Sequence, residues 1–203
     1  YLFFFFFEYD SSLAKLPLGA KMTASFFQSV TTRTAGFNTV RLEHLNEETT
    51  LFMMLGMLIG AAPGSTGGGI KITTVAVIAL SIRAFLTDRQ SVEFMGRRLP
   101  PSLLLRAMAL MGTATAVYVL GLTLLLIFED GGFLGLAFET ASALGTAGLS
   151  LGVTSELSVE GKLVVACLMF VGRVGPLTLV AAMRSRNRRS SLIQLPEGRV
   201  LIG

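Results

Sequence analysis

The sequence contains no tryptophan, one cysteine, one histidine and only three tyrosines. A single cysteine excludes an intrachain disulfide and a thiolate metal cluster. Cys167 stands in the apolar run Leu163-Val-Val-Ala-Cys-Leu-Met-Phe170 and reads as a small core residue. His44, in a polar stretch, has no partner for acid–base or hydrolytic chemistry and reads as a surface residue, so no enzyme activity is expected. Without tryptophan the chain offers no evident platform for stacking bases. Its basic residues sit at the ends of apolar runs, so the net charge of +4 does not point to nucleic acid. Charge itself is scarce. Charged residues make up 15% of the chain, against about 25% in a soluble domain. With 52% hydrophobic residues and mean hydropathy +0.67, the chain cannot cover its surface with polar groups, and lipid is the expected solvent. A signal peptide would begin with a basic segment, and Tyr1-Leu-Phe-Phe-Phe-Phe-Phe7 carries none, so no signal peptide is expected there. That run is expected to lie inside a hydrophobic helix, with an N-terminal part of the protein before it.

Three apolar runs are long enough to cross a bilayer, which takes about 20 residues. Leu103–Phe128 is charge-free apart from Arg106, follows Pro100-Pro101 and stops at Glu129-Asp130-Gly131-Gly132. A second run spans Lys162–Met183 with Arg173 inside it. The third, Leu51–Ala84, is interrupted by Gly60-Ala-Ala-Pro-Gly-Ser-Thr-Gly-Gly-Gly69. Five glycines and a proline in ten residues cannot hold a helix. That run is expected to be a broken helix: Leu51–Ile59, a loop, then Ile70–Ala84. The link after it carries Arg83, Arg89, Arg97, Arg98 and Arg106, and the tail carries Arg184, Arg186, Arg188, Arg189 and Arg199. The other loops are acidic, with Glu43, Glu47, Glu48, Glu129, Asp130, Glu156 and Glu160. The positive-inside rule places the arginine-rich link 83–106 and the tail in the cytoplasm and the acidic loops outside.

An internal repeat organises these runs. Thr34-Ala35-Gly36 recurs as Thr146-Ala147-Gly148, an offset of 112. The same offset pairs Phe26 with Phe138, Met57 with Met169, Gly60 with Gly172 and Thr66 with Thr178, without a gap. Each copy reads as outer helix, short helix, Thr-Ala-Gly loop, second helix. The short helices, 21–32 and 134–144, are too short to span and are expected to be re-entrant. Backbone that leaves a helix at membrane depth must be buried in protein or line a watery cavity. The expected fold class is therefore an all-α membrane protein, built from repeated helix–re-entrant pore loop–helix units around an ion pore.

A filter for a bare cation is a column of backbone carbonyls that replace the ion's water shell. Glycine supplies the unusual φ/ψ values that column needs. The expected filter residues are Thr34, Ala35, Gly36, Phe37 and Asn38 in one loop, and Gly145, Thr146, Ala147, Gly148 and Leu149 in the other. Thr34 and Thr146 can add hydroxyl oxygens, and Glu139 supports the second loop or faces its entrance. The interrupted stretch has more glycine than a kink requires and is read as a gate within the pore: Gly60, Pro63, Gly64, Ser65, Thr66, Gly67, Gly68, Gly69 and Lys71. Arg173 is an intramembrane charge and a functional candidate on that ground. The offset sets it opposite Ala61, beside the loop, where it is expected to hydrogen-bond the loop and repel ions below the filter. Gly64-Ser-Thr-Gly-Gly-Gly-Ile-Lys71 superficially resembles a nucleotide phosphate loop, but Ile70 separates the last glycine from Lys71 and no strand leads in. A secondary transporter with a solute site at the broken helix is the remaining alternative. The repeated Thr-Ala-Gly loops argue against it.

Four segments, Ser29-Val-Thr-Thr-Arg-Thr-Ala-Gly-Phe-Asn-Thr39, Pro63-Gly-Ser-Thr-Gly-Gly-Gly-Ile-Lys71, Gly145-Thr-Ala-Gly-Leu-Ser150 and Gly172-Arg-Val-Gly-Pro-Leu-Thr178, resemble the Trk/Ktr/HKT superfamily of potassium transporters. The bacterial Ktr-type membrane subunit is the nearest look. The resemblance implies four pore repeats around one pore. Residues 1–98 would be a truncated third repeat, 99–186 the fourth, and 187–203 a cytoplasmic C-terminal tail. It also implies a potassium uptake system in the plasma membrane, with K+ as the transported ion at the filter residues and Na+ as a second ion. The partners it implies are the missing N-terminal half of the same subunit, a second copy in a homodimer, a cytoplasmic nucleotide-binding regulatory subunit and the lipid membrane. It implies no organic cofactor.

Overall fold

The longest helix grows from a proline pair. Pro at the first helical position costs nothing, because its missing N–H would be unsatisfied there, so the helix starts at Pro101 rather than at the expected Leu103 and runs to Phe128. Its 28 residues reach about 42 Å at 1.5 Å per residue, more than the ~30 Å hydrocarbon core of a bilayer. Its most apolar window has mean hydropathy 2.1 yet is only 17% buried, so most of its apolar surface is left for lipid or further protein. It is the one helix among the described residues that is long and apolar enough to cross a membrane by itself.

The computed structural model describes residues 1–60, 62–65, 67–89 and 91–175. Over these the order is α1 (Leu2–Glu8), α2 (Leu18–Thr31), a 3-10 turn (Leu42–His44), α3 (Glu47–Leu58), α4 (Ile72–Leu86), β1 (Glu93–Phe94), β2 (Arg97–Arg98), α5 (Pro101–Phe128), α6 (Phe133–Gly145), α7 (Val153–Glu156) and α8 (Val159–Val174). The interrupted helix is α3 and α4. α3 begins at Glu47, not Leu51, because Glu47 and Glu48 sit in the first turn, where carboxylates favour the helix N-terminus. α4 begins at Ile72, because Ile70 is drawn into a bridge with Ile59. α8 is described from Val159 to Val174, and the rest of the expected run, residues 176–183, lies outside the described residues. Gly175 takes φ +88°, ψ 128°, outside the helical region, and Pro176 follows it in sequence. Residues 176–203, including Thr178 and the expected cytoplasmic tail, lie outside the described residues. The arginine-rich link holds a tight hairpin the sequence reading did not foresee, with Met95 and Gly96 both at positive φ in its turn.

The 112-residue offset recurs in the backbone. α3 starts at 47 and α8 at 159, and their N-caps are Asn46 and Ser158. Each N-cap is clamped by a glutamate at the end of the preceding outer helix. Glu8 accepts the Asn46 N–H at 3.0 Å, and Glu129 accepts the Ser158 N–H at 2.9 Å and its hydroxyl at 2.5 Å.

α6 is the centre. It packs on α3, α5 and α8, and every residue from Leu136 to Gly145 is buried. It belongs to both core clusters. Ala137, Phe138 and Ala141 join Met53, Met54 and Met57 of α3; Leu136 and Ala143 join Leu125 of α5 and Val165 and Leu168 of α8. Glycines let the helices approach. A Cβ at Gly145 would lie 2.5 Å from Met57 O, and one at Gly172 would lie 2.1 Å from Leu144 O.

α2 is inverted. Its buried stripe is Lys21, Ser25, Gln28 and Thr31, while Met22, Phe26 and Val30 are exposed. That pattern suits surroundings of lipid or further protein rather than water. Cys167 corrects an expectation in the same way. It lies on an exposed apolar face of α8 with Leu163 and Phe170, not in the core.

Candidate functional site

The two Thr-Ala-Gly loops leave the C-termini of α2 and α6 with the same backbone. Thr34 and Gly36 have φ of +69° and +73°; Thr146 and Gly148 have +53° and +77°. In an extended chain with every φ negative, successive carbonyls point to opposite sides. A left-handed residue at every second position turns them toward one side. Glycine was expected at these positions. The left-handed threonines were not: a β-branched residue at positive φ is strained, and no sequence signal marks it. The two loops meet. A Cβ at Gly36 would lie 3.5 Å from Ala147 O, and one at Gly148 would lie 3.2 Å from Gly36 Cα.

The second loop is fastened from behind by α6. Ser142 O accepts the Ala147 N–H at 2.9 Å, and Ser142 Oγ accepts the Leu149 N–H at 2.9 Å. Glu139 is buried behind the loop, where Oε1 accepts the Thr154 hydroxyl at 2.5 Å. Thr154 Oγ1 in turn lies 2.8 Å from Ser150 Oγ. Glu139 therefore supports the loop and does not face an entrance. Gly145, expected within the filter segment, is the last residue of α6 and packs on α3. The first loop is held by other means: Thr31 Oγ1 donates to Phe37 O, and the Thr39 N–H donates to Gln28 Oε1 at 3.4 Å. The Phe37 side chain is exposed, and Asn38 Nδ2 donates to Val40 O at 3.3 Å.

The glycine-rich stretch forms a loop with a closed neck. The Gly60 N–H donates to Ile70 O at 2.7 Å, and the Ile70 N–H to Leu58 O at 2.9 Å. A side chain at Gly60 would collide with Gly68 O at 2.1 Å. Lys71 Nζ folds back over the loop and donates to Ser65 O at 3.2 Å and to Gly67 O. Gly64 and Gly69 supply the left-handed turns at φ +84° and +73°. Pro63 lies in the turn before Gly64; Thr66 and Ala61 lie outside the described residues. The loop touches the second Thr-Ala-Gly segment and the residue that precedes the first. The Gly68 N–H donates to Thr146 Oγ1 at 2.8 Å. From the other side the Arg33 guanidinium donates to Ile59 O and, at 2.9 Å, to Gly60 O. Arg33 was read only as part of a motif; its role at the neck has no sequence signal, because its acceptors are main-chain carbonyls.

Arg173 lies on the last turn of α8, next to Gly172. Together with Lys71, Gly67, Gly68 and Thr74 it lines a cavity of about 210 Å³ beside the loop. The structure thus brings Arg173 to the loop. The oxygens at the paired Thr-Ala-Gly segments are main-chain carbonyls and threonine hydroxyls. Such neutral, hard donors suit a weakly hydrated monovalent cation.

A family model described as TrkH, cation transport protein, matches residues 1–191. The chain is 39% identical over 201 residues to Ktr system potassium uptake protein B of Bacillus subtilis (strain 168), covering 98% of this chain and 45% of that protein. It is 39% identical to Ktr system potassium uptake protein B of Vibrio alginolyticus over 193 residues, covering 95% of this chain and 42% of that one. Potassium/sodium uptake protein NtpJ of Enterococcus hirae is 32% identical over 197 residues, covering 95% of this chain and 44% of that one. The chain therefore spans less than half the length of these relatives. The crystal structure of the potassium transporter TrkH from Vibrio parahaemolyticus superposes with a TM-score of 0.74 at 21% identity, over 90% of this chain and 41% of that one. The fold is the all-α fold of that membrane transporter.

Proposed function

The chain belongs to the TrkH family of cation transport proteins, and from that premise we propose that it supplies two of the pore repeats of a potassium uptake subunit. K+ is the transported ion. It is selected by the inward carbonyls of Thr34–Asn38 and Thr146–Leu149. The observation that carries this reading is the repeated left-handed pair, Thr34 with Gly36 and Thr146 with Gly148, in two loops that touch at their glycines. The loop Gly60–Gly69, steadied by Lys71 and flanked by Arg173, gates the path below. The relatives' names extend to uptake of potassium, and for one of them sodium; Na+ is accordingly the competing ion here. The remaining repeats come from the rest of the subunit. The working unit is a homodimer in the plasma membrane, with a cytoplasmic nucleotide-binding regulatory subunit docked on the arginine-rich side.

Potassium-limited growth complementation by the full-length subunit, with its regulatory subunit, tests the reading. Wild type is expected to rescue growth. Gly148→Ser puts a Cβ at φ +77° and 3.2 Å from Gly36 Cα, so it is expected to distort both loops and lose preference for K+ over Na+. Rescue by the serine form with unchanged preference would remove these loops from the filter. A wild-type subunit that cannot rescue would favour a solute transporter with its site at the broken helix.

A further inference from the structure

Two devices of the proposed function share a single atom. The Gly68 N–H of the intramembrane loop donates to Thr146 Oγ1 at 2.8 Å. A Cβ built on Gly68 would lie 2.7 Å from both Oγ1 and Cγ2 of Thr146, and 3.0 Å from Gly172 O. The loop is therefore seated on this threonine without slack, and only glycine fits the seat. Thr146 is the first residue after α6. It is held at φ +53° with its own N–H on Ala143 O at 3.1 Å. Its hydroxyl stands at the end of the carbonyl column nearest the loop.

A hydroxyl oxygen has two lone pairs and one hydrogen. A cation ligated by Thr146 Oγ1 uses a lone pair, and so does the Gly68 N–H. The N–H also presents the positive end of its dipole, so it repels a cation arriving at the same oxygen. We infer that the Gly68 N–H and the permeating cation compete for Thr146 Oγ1, so that occupancy of the innermost filter position undocks the intramembrane loop. The inference rests on the reading of Thr146–Leu149 as a filter. Gly68 stands on the returning arm beside the neck, where a Cβ on Gly60 would lie 2.1 Å from its carbonyl oxygen, so the loop leaves Thr146 together with the neck that the Ile59–Ile70 bridge and Arg33 hold. Coupling between two binding events is reciprocal, so the docked loop weakens ion binding at the inner position by the factor by which the ion weakens docking. For one neutral hydrogen bond that factor is about fivefold.

The test uses the full-length subunit in liposomes, with Cys167→Ala and a reporter Ser65→Cys on the loop. The rate of thiol modification by a methanethiosulfonate reagent is read in K+ and in N-methylglucamine at equal ionic strength. With Thr146 present, K+ is expected to raise the rate about fivefold. Thr146→Val keeps the β-branched shape but removes the oxygen. It is expected to give the fast rate in both media, and Thr146→Ser to restore the difference. A rate insensitive to K+ with Thr146 in place, or a K+ effect that survives in the valine form, would overturn the competition. Should the valine form fail to assemble, the serine form alone carries the comparison: a serine form without the K+ effect overturns the idea. Uptake of 86Rb+ and 22Na+ by the same variants separates the two levels. If Thr146→Val leaves the ratio of the two ions unchanged, the filter reading itself fails. If the ratio shifts while the loop ignores K+, only the competition fails.

Discussion

Arg33 holds the carbonyls that end α3. Its guanidinium reaches from just before the first Thr-Ala-Gly segment to Ile59 O and Gly60 O, the acceptors left over at a helix C-terminus. The charge is also of the sign that end of a helix favours. Arg33→Ala leaves those carbonyls without the guanidinium and frees the neck of the proposed gate. An exposed contact of this kind contributes about 1 kcal/mol, a change of about fivefold in the balance of docked and displaced loop. Basal 86Rb+ leak in liposomes is expected to rise by about that factor in the full-length variant. A leak that stays at the wild-type level would make Arg33 a structural cap only. The residue was in plain view in Thr31-Thr-Arg-Thr-Ala-Gly36, yet its role was not legible. A sequence marks side-chain chemistry, and Arg33 works on main-chain oxygens 26 and 27 residues away. The same blindness hid Gly68, whose contribution is an N–H. Gly36 and Gly148 were legible, because a left-handed position has a residue type that suits it.

The two inner helices share the glutamate on the N-cap N–H, but only Ser158 also caps its helix with its side chain. Ser158 caps α8, accepting the Gly161 N–H at 3.0 Å while its hydroxyl donates to Glu129. Ser158→Ala removes both bonds and is expected to cost about 1–2 kcal/mol, the usual loss for an N-cap. Thermal unfolding of the detergent-solubilised subunit should show the lower midpoint. Ser158→Asp separates cap from clamp. Aspartate is as good a cap as serine, but it cannot donate to Glu129 and it sets two carboxylates together. Its midpoint is expected to fall at least as far as that of the alanine form; a wild-type midpoint would show that the hydroxyl's bond to Glu129 contributes nothing. The clamp escaped the sequence analysis because it breaks register. Asn46 and Ser158 obey the 112 offset, but Glu8 and Glu129 are 129 − 8 = 121 apart, so the outer helices end at different distances from the repeat. The helix boundaries that differ do so by a few residues for local reasons: Pro101 extended α5 backward, and the first-turn glutamates extended α3 to Glu47.

At the scale of the whole molecule, charge and exposure define two ends. The hairpin tip Met95 is 87% exposed, beside Arg97 and Arg98. Asp130 is exposed at the opposite end of α5, beyond Phe128. The proposed orientation sets the hairpin in the cytoplasm. In the full-length subunit with Cys167→Ala, a membrane-impermeant maleimide is expected to label Met95→Cys in inside-out vesicles only, and Asp130→Cys in right-side-out vesicles only. The reverse pattern would invert the topology, and labelling of both from one side would dismiss α5 as a span.

Composition and periodicity by themselves determined the class of solvent, a long helix expected over Leu103–Phe128, the break between α3 and α4 and the 112-residue repeat, because each depends on residue type along the chain. They also marked Gly36 and Gly148, where backbone need and residue choice coincide. Only the tertiary structure decided what those parts do to one another. The Gly68–Thr146 bond joins residues 78 apart, Arg33 caps a helix it does not belong to, and α6 is buried by three helices at once. In both hydrogen bonds one partner is a main-chain group that has no signature in the order of side chains, and the burial of α6 follows from how three helices pack, so these contacts appear only in the folded structure.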